Sequence, residues 1–211
     1  MDVLPFELVI KIGLSSIDTW RSLVNADPDL GRWSLKNQSF IQRHFTIRSE
    51  APGIKYQFKF NGKLHREDGP AMEDCGGTKK WYLNGDLHLE KDPAIEYGWG
   101  SKEWYWRGER HREGGPAIEL IDGTREWYLN GKHHREQGPA VENNEEKLWY
   151  LNGELHREDG PAIESSYIGN QWYINGKLHR EDGPAIEGIS PVDMWYLNGE
   201  LQGEGTTLLV N

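Results

Sequence analysis

The chain has 211 residues, of which 36% are hydrophobic, and its mean hydropathy of −0.79 is lean for one deep core, yet 10 Trp and 9 Tyr are far more than a disordered chain carries. A net charge of −10, from 24 Lys and Arg against 34 Asp and Glu, speaks against nucleic acid and anionic lipid as general partners, because both are held by surplus basic side chains; proteins are the expected partners. A single cysteine, Cys75, excludes an intrachain disulfide framework, and with no basic-then-apolar leader and no apolar run near the ~20 residues of a membrane helix, the expected setting is intracellular, cytoplasmic or nuclear.

Residues 1–50 carry six acids and six bases, so the remaining 28 acids and 18 bases, and with them the whole negative excess, lie beyond. That shift marks a domain boundary, with a small helical domain over 1–48 and a second region over 51–211. Leu4, Phe6, Leu8, Val9, Ile10 and Ile12 fall at helical spacing with Pro5 in the first turn. Ser16 or Asp18 caps a second helix through Trp20, Leu23 and Val24, Asp27-Pro28 opens a third ending near Trp33, and a fourth runs from Leu35 to Phe45. Asn37-Gln38-Ser39 has the form of a glycosylation sequon but, without a secretory signal, is read as unmodified.

The stretch from Leu4-Pro5-Phe6-Glu7-Leu8 to Ile12, followed by Ile17-Asp18-Thr19-Trp20 to Asn25, resembles an F-box. The resemblance implies docking onto the Skp-type linker subunit of a cullin ubiquitin ligase, with contacts at Leu4, Pro5, Leu8, Ile12, Leu23 and Val24. The alternative is a helical cap that shields the start of the second region.

Beyond residue 50 the chain is a tandem array. Its anchor is Trp81-Tyr82-Leu83-Asn84-Gly85, repeated as Trp127 to Gly131, Trp149 to Gly153, Trp172 to Gly176 and Trp195 to Gly199, with departing copies at Phe58 to Gly62 and Trp104 to Gly108. The glycines at 62, 85, 108, 131, 153, 176 and 199 are spaced by 23, 23, 23, 22, 23 and 23 residues, which makes seven units. A second block comes after each anchor, as in Leu64-His65-Arg66-Glu67-Asp68-Gly69-Pro70-Ala71, and the missing residue of the 22-step falls in the variable stretch 143–148. A stretch that tolerates deletion is an exposed turn, and Gly123 and Gly169 supply positive φ there.

Each unit is read as two strands, Pro-Ala-Ile-Glu and Trp-Tyr; the alternative is that Asn-Gly forms a type I′ hairpin and adds a third. A 23-residue unit cannot bury its rings alone, so stacked units give a mainly β fold, an elongated single-layer antiparallel β-hairpin array. Leu208-Leu209-Val210 is the expected capping strand, and an open sheet edge allows end-to-end self-association.

Trp-Tyr-x-Asn-Gly-x-Leu-His-Arg-Glu-Asp-Gly-Pro-Ala is similar to the MORN-like repeat of large DNA viruses of the marseillevirus kind. The resemblance implies an extended sheet used for protein contact or scaffolding. Leu89-Glu90-Lys91-Asp92 and Arg107 depart from it.

Six histidines recur in register, at 65, 88, 111, 134, 156 and 179. Equivalent atoms two strands apart lie about 9 to 10 Å from one another, whereas zinc ligands lie about 2.0 to 2.1 Å from the metal. The expectation is structural histidines that bond a turn or pack on Trp. The Arg-Glu-Asp runs read as a solvated face of weak ion pairs. No phosphate loop, nucleophile elbow or zinc-protease signature occurs, so the chain is read as a non-enzyme without cofactor or metal. Its working surface is expected at the aromatic rows, Trp81, Trp104, Trp127, Trp149, Trp172 and Trp195, and at the pattern-breaking Trp99 and Trp106. The competing role for each ring is to stack one unit on the next.

Overall fold

The computed structural model describes residues 45–47, 52–188 and 192–206. They divide into two compact units, one ending at Glu109 and one starting at Arg110. Every regular element among the described residues is a strand. The first three predicted helices, the six F-box-type contacts and Leu208 to Val210 lie outside the described residues. The predicted fourth helix is corrected at its end, since Phe45–Ile47 is a strand.

In the unit starting at Arg110 the main ladder is a meander. Ile118–Glu119 pairs antiparallel with Arg125–Glu126, and the ladder continues through Val141–Glu142, Glu146–Leu148, Ile163–Ser165, Gly169–Gln171, Ile186–Glu187, Val192–Leu197 and Glu200–Thr206. Separate two-stranded hairpins branch from it: Tyr128–Leu129 with Lys132–His133, Tyr150–Leu151 with Glu154–Leu155, and Tyr173–Ile174 with Lys177–Leu178.

These hairpins correct the two-strand reading. Asn130 and Gly131 have φ of 49° and 74°, and the pairs Asn152-Gly153 and Asn175-Gly176 repeat this pattern. Positive φ at both central positions is the type I′ turn, whose twist matches that of paired strands. Each repeat therefore holds four short strand segments. The outgoing strand is charged because only one of its two residues turns inward: Lys132, Glu154 and Lys177 are exposed, while His133, Leu155 and Leu178 are half-buried.

Tryptophan is the point where the chain changes ladder. The Trp127 N–H donates to the Ala140 carbonyl at 2.7 Å in the main ladder, and its own carbonyl accepts from the His134 N–H at 3.1 Å in the hairpin. Trp149 and Trp172 do the same with Ala162 and His156, and with Ala185 and His179. Ala117, Ala140, Ala162 and Ala185 are 0% exposed, and of the residues that follow them Ile118, Val141 and Ile163 are 4 to 9% exposed while Ile186 is half-buried. Successive strand residues point to opposite faces, so the ladder is covered on both sides there.

The unit ending at Glu109 has the same plan. Ile54–Phe60 pairs with Phe45–Ile47, Lys63–Leu64 and Met72–Asp74, and the ladder goes on through Lys79–Lys80, Ile95–Glu96 and Lys102–Glu103. In its last hairpin Arg107 takes the asparagine place at φ 50°, a conformation that costs a bulky residue more than asparagine. At the other end of the chain Val192–Leu197 and Glu200–Thr206 run as one long hairpin with a register shift at Trp195/Tyr196. A Cβ on Gly205 would stand 3.0 Å from the Trp195 ring, so the terminal strand packs closely on that indole.

Candidate interaction surface

Which residues are free to meet a partner depends on which ones the fold consumes. Arginine is the most committed. Arg135, Arg157 and Arg180 lie over the rings of Trp127, Trp149 and Trp172 at 3.7, 3.9 and 3.9 Å, and Arg66 covers Phe58 at 4.4 Å. From there the Nη1 of Arg112, Arg135, Arg157 and Arg180 donates to the carbonyls of Pro116, Pro139, Pro161 and Pro184 at 2.9 to 3.1 Å. Arg157 Nε also bonds Asp159 at 2.9 Å, and its Nη1 bonds Glu164 at 2.7 Å. Burial opposes the charge, yet these two carboxylates hold the Arg157 pKa above its ordinary value, and the guanidinium in turn lowers that of Asp159. The expected face of weak ion pairs is thus corrected in part. In the turns of Arg66, Arg157 and Arg180 the aspartate two residues on, Asp68, Asp159 or Asp182, belongs to a clasp that folds the turn back on the ring of Phe58, Trp149 or Trp172.

The clasp explains the glycine that comes after it. A Cβ on Gly69, Gly160 or Gly183 would stand 2.9, 2.9 or 2.7 Å from the guanidinium carbon of Arg66, Arg157 or Arg180. Where Leu89 replaces the arginine, Asp92 stands at the glycine position, as the lost guanidinium permits.

Histidine is consumed next. The Nδ1 atoms of His65 and His88 accept the N–H of Asn84 and Arg107 at 2.9 and 3.1 Å. His111, His134, His156 and His179 accept from Asn130, Asn152, Asn175 and Asn198 at 3.1 to 3.2 Å. Each imidazole stitches its repeat to the hairpin turn of the next, Asn-Gly or, for His88, Arg107-Gly108, the turn-bonding role expected from sequence. Among the described residues no group of three or more His, Cys, Asp or Glu could hold a metal ion.

His65 carries a pH prediction. It is 6% exposed, and burial holds its pKa below the usual value against the opposing Glu67, whose carboxylate is 3.9 Å from Nε2. Phe60 is its ring neighbour. Only a deprotonated Nδ1 can accept the Asn84 N–H. A base whose folded pKa is depressed contributes fully above its unfolded pKa of about 6.5 and loses that contribution as pH falls below it. Thermal melts from pH 7.5 to 5 should therefore show wild type losing more stability than His65→Gln, and parallel pH profiles would refute the stitch as a titrating element.

The tryptophans expected as surface are mostly covered. Trp104 is 6% exposed, and Trp81, Trp106, Trp127, Trp149, Trp172 and Trp195 are half-buried. Trp106 lies 4.4 Å from the His88 ring. Trp99 alone of these eight is largely exposed, at 59%, stacked on Tyr97 at 4.6 Å.

Two polar clusters were missed by sequence reasoning. Glu103, 7% exposed, accepts the hydroxyls of Tyr97 and Tyr105 at 2.6 and 2.9 Å. Glu126 accepts the Tyr128 hydroxyl at 2.9 Å and bonds His133 Nε2 at 2.9 Å, while the His133 ring stacks between Tyr128 and Tyr150 at 4.1 and 5.0 Å. His133 holds the Glu126 pKa down, and burial, with the bond to Glu126, pushes Tyr128 up to about 12. The available signal was a break of pattern, His133 standing where Leu64, Leu87, Leu155 and Leu178 stand elsewhere.

Two kinds of feature stand outward among the described residues. The hairpin tips carry Ile121, Tyr167 and Ile168 at 72, 60 and 49% exposure. The turns after each histidine carry Glu158 and Glu181, which are 87 and 85% exposed and touch only the Nε2 of His156 and His179, at 3.8 Å. Cys75 is exposed too. No helix among the described residues is long and apolar enough to cross a membrane. No protein-family model and no curated protein matches the chain.

Proposed function

We propose that the chain is a protein–protein adaptor, with its MORN-like repeats presenting an acidic surface to a target protein and its F-box-like residues 1–48 recruiting the Skp-type linker of a cullin ubiquitin ligase. One observation carries the binding half of this reading. Repeat residues with strong chemistry, Trp, Arg and His, are spent on the fold, as Arg157 over Trp149 and His156 on Asn175 illustrate. What remains outward is the variable tips and charged side chains, carboxylates such as Glu158 and Glu181 and lysines such as Lys132 and Lys177, whereas in a catalytic site reactive groups converge on one pocket. The recruiting half rests on the sequence resemblance at Leu4, Pro5, Leu8, Ile12, Leu23 and Val24.

A second reading, a structural or scaffolding protein whose N-terminal segment only caps the array, draws support from the pairing of Phe45–Ile47 with the first repeat strand. Pull-down of the full chain with purified Skp-type protein separates the two. Capture that is lost in a Leu8→Asp, Ile12→Asp double variant is the expected result. No capture by wild type favours the cap, and undiminished capture by the variant removes the assigned contacts. End-to-end association belongs to either reading, and concentration-dependent sedimentation tests it.

A further inference from the structure

In the unit starting at Arg110, the turns 157–161 and 179–182 enclose a cleft of about 680 Å³. Its apolar side is Trp172 and Ile174, and Glu158, Asp159, Glu181 and Asp182 stand at its walls. The two arginines that also line it are already neutralised, Arg157 by Asp159 and Glu164 and Arg180 by Asp182 and Glu187 at 2.7 to 3.1 Å. Glu158 and Glu181 have no arginine partner; each lies 3.8 Å from an imidazole, His156 and His179, the latter also lining the cleft. A second cleft of about 470 Å³ occupies the same place in the repeat in the unit ending at Glu109, with Trp81 and Leu83 beside Glu67, Glu90 and Asp92; of the cations that line it, Arg66 is paired with Asp68 at 2.8 Å, and Lys91 leaves the acidic side chains in excess. The cleft is therefore a product of the repeat. The sequence sets Glu136, Trp149 and Leu151 at the equivalent positions one repeat before Trp172.

We propose that these clefts receive the basic side chains of a proline-rich segment of a partner protein, bound as a polyproline II helix with Lys or Arg at every third residue. The proposal rests on the reading of the array as a protein-binding platform and names its ligand. Charge selects a cation, and the indole with its neighbouring aliphatic side chain suits the methylene stem of Lys or Arg and the rings of proline, which dock in aromatic-lined grooves. Spacing selects the conformation. Each repeat adds two main-ladder strands, about 9.4 to 9.8 Å of advance, and polyproline II returns to the same side every three residues, about 9.3 Å. An extended strand does so at about 6.6 Å and an α-helix at about 5.4 Å per turn, so neither keeps step with successive clefts.

The test is fluorescence anisotropy of the full chain with labelled (Arg-Pro-Pro)5 and with a peptide of the same composition whose five arginines are contiguous. The periodic peptide is expected to bind about 5-fold more tightly at ~0.15 M salt, and Glu158→Gln with Glu181→Gln to weaken it by about 5-fold with the melting temperature unchanged, as befits exposed positions. Equal affinity for the two peptides, no binding of either, or a double variant that binds as wild type does overturns the proposal. Failure here is distinct from failure of the adaptor reading. A co-purified target that the periodic peptide does not displace sinks this inference alone, whereas absence of any co-purified protein sinks the reading beneath it.

Discussion

Ala140→Leu is expected to lower the stability of the unit starting at Arg110 by about 3 kcal/mol, at the upper end of what overpacking costs. Ala140 is 0% exposed and its backbone is held from both sides, its N–H donating to Leu148 O at 2.8 Å and its carbonyl accepting from Trp127 at 2.7 Å. The usual relief for an oversized side chain is a small backbone shift. Here that shift would break two ladder bonds and displace the indole at which the chain changes ladder. At roughly 2 to 4 °C per kcal/mol for a chain of this size, the melting temperature should fall by about 6 to 12 °C. Asn144→Leu, on an exposed tip, serves as the control and should stay within about 0.5 kcal/mol. Circular dichroism and Trp fluorescence should be recorded together, because an array with nearest-neighbour energetics can lose one repeat before the rest. A leucine variant that melts within roughly 2 °C of wild type would show that the alanine row is not sterically constrained.

Arg157→Leu is expected to cost about 2 to 3 kcal/mol, from charge-assisted hydrogen bonds and the stack on Trp149 together. The sharper result concerns its neighbour. Gly160→Ala in wild type should cost about 1 to 2 kcal/mol because its Cβ meets the guanidinium, which stands 2.9 Å from that position. In the Arg157→Leu background the same change should be close to neutral. A double-mutant cycle by denaturant unfolding should therefore give a coupling of about 1 kcal/mol or more, as expected for residues in contact. The chain itself loses the two together in one repeat, where Leu89 and Asp92 stand at the arginine and glycine positions. Additive costs at 157 and 160 would mean that the glycine serves something other than the arginine above it.

Much of the local structure is legible in the residues themselves. Asn-Gly declares a type I′ turn wherever it stands between strands, and all the Asn-Gly copies, with Arg107-Gly108, adopt positive φ. The turn nevertheless takes second place in a reading by residue type, because the block after it, Leu-His-Arg-Glu-Asp-Gly, looks too charged and turn-like for a strand. That judgement applies a burial rule for whole sheets to a two-residue rung with one outward side chain. The histidine role is correctly inferred from spacing, since copies too far apart to share a metal must be doing something local. Its partner, the backbone N–H of the next Asn-Gly turn, is 18 or 19 residues away and carries no signature in side-chain type.

The sequence alone determined the repeat period, its seven copies, the β character of each copy and the positions of its turns, because these depend on local conformational preference and on a pattern repeated until it is unmistakable. Tertiary structure decided what each repeated side chain is for. Whether a tryptophan faces solvent or lies under an arginine, and whether a glutamate closes a clasp or stands free at a cleft, depends on groups brought together only when the chain turns back on itself. Such proximity is set by the ladder change at each Trp, which no spacing rule for a single strand contains.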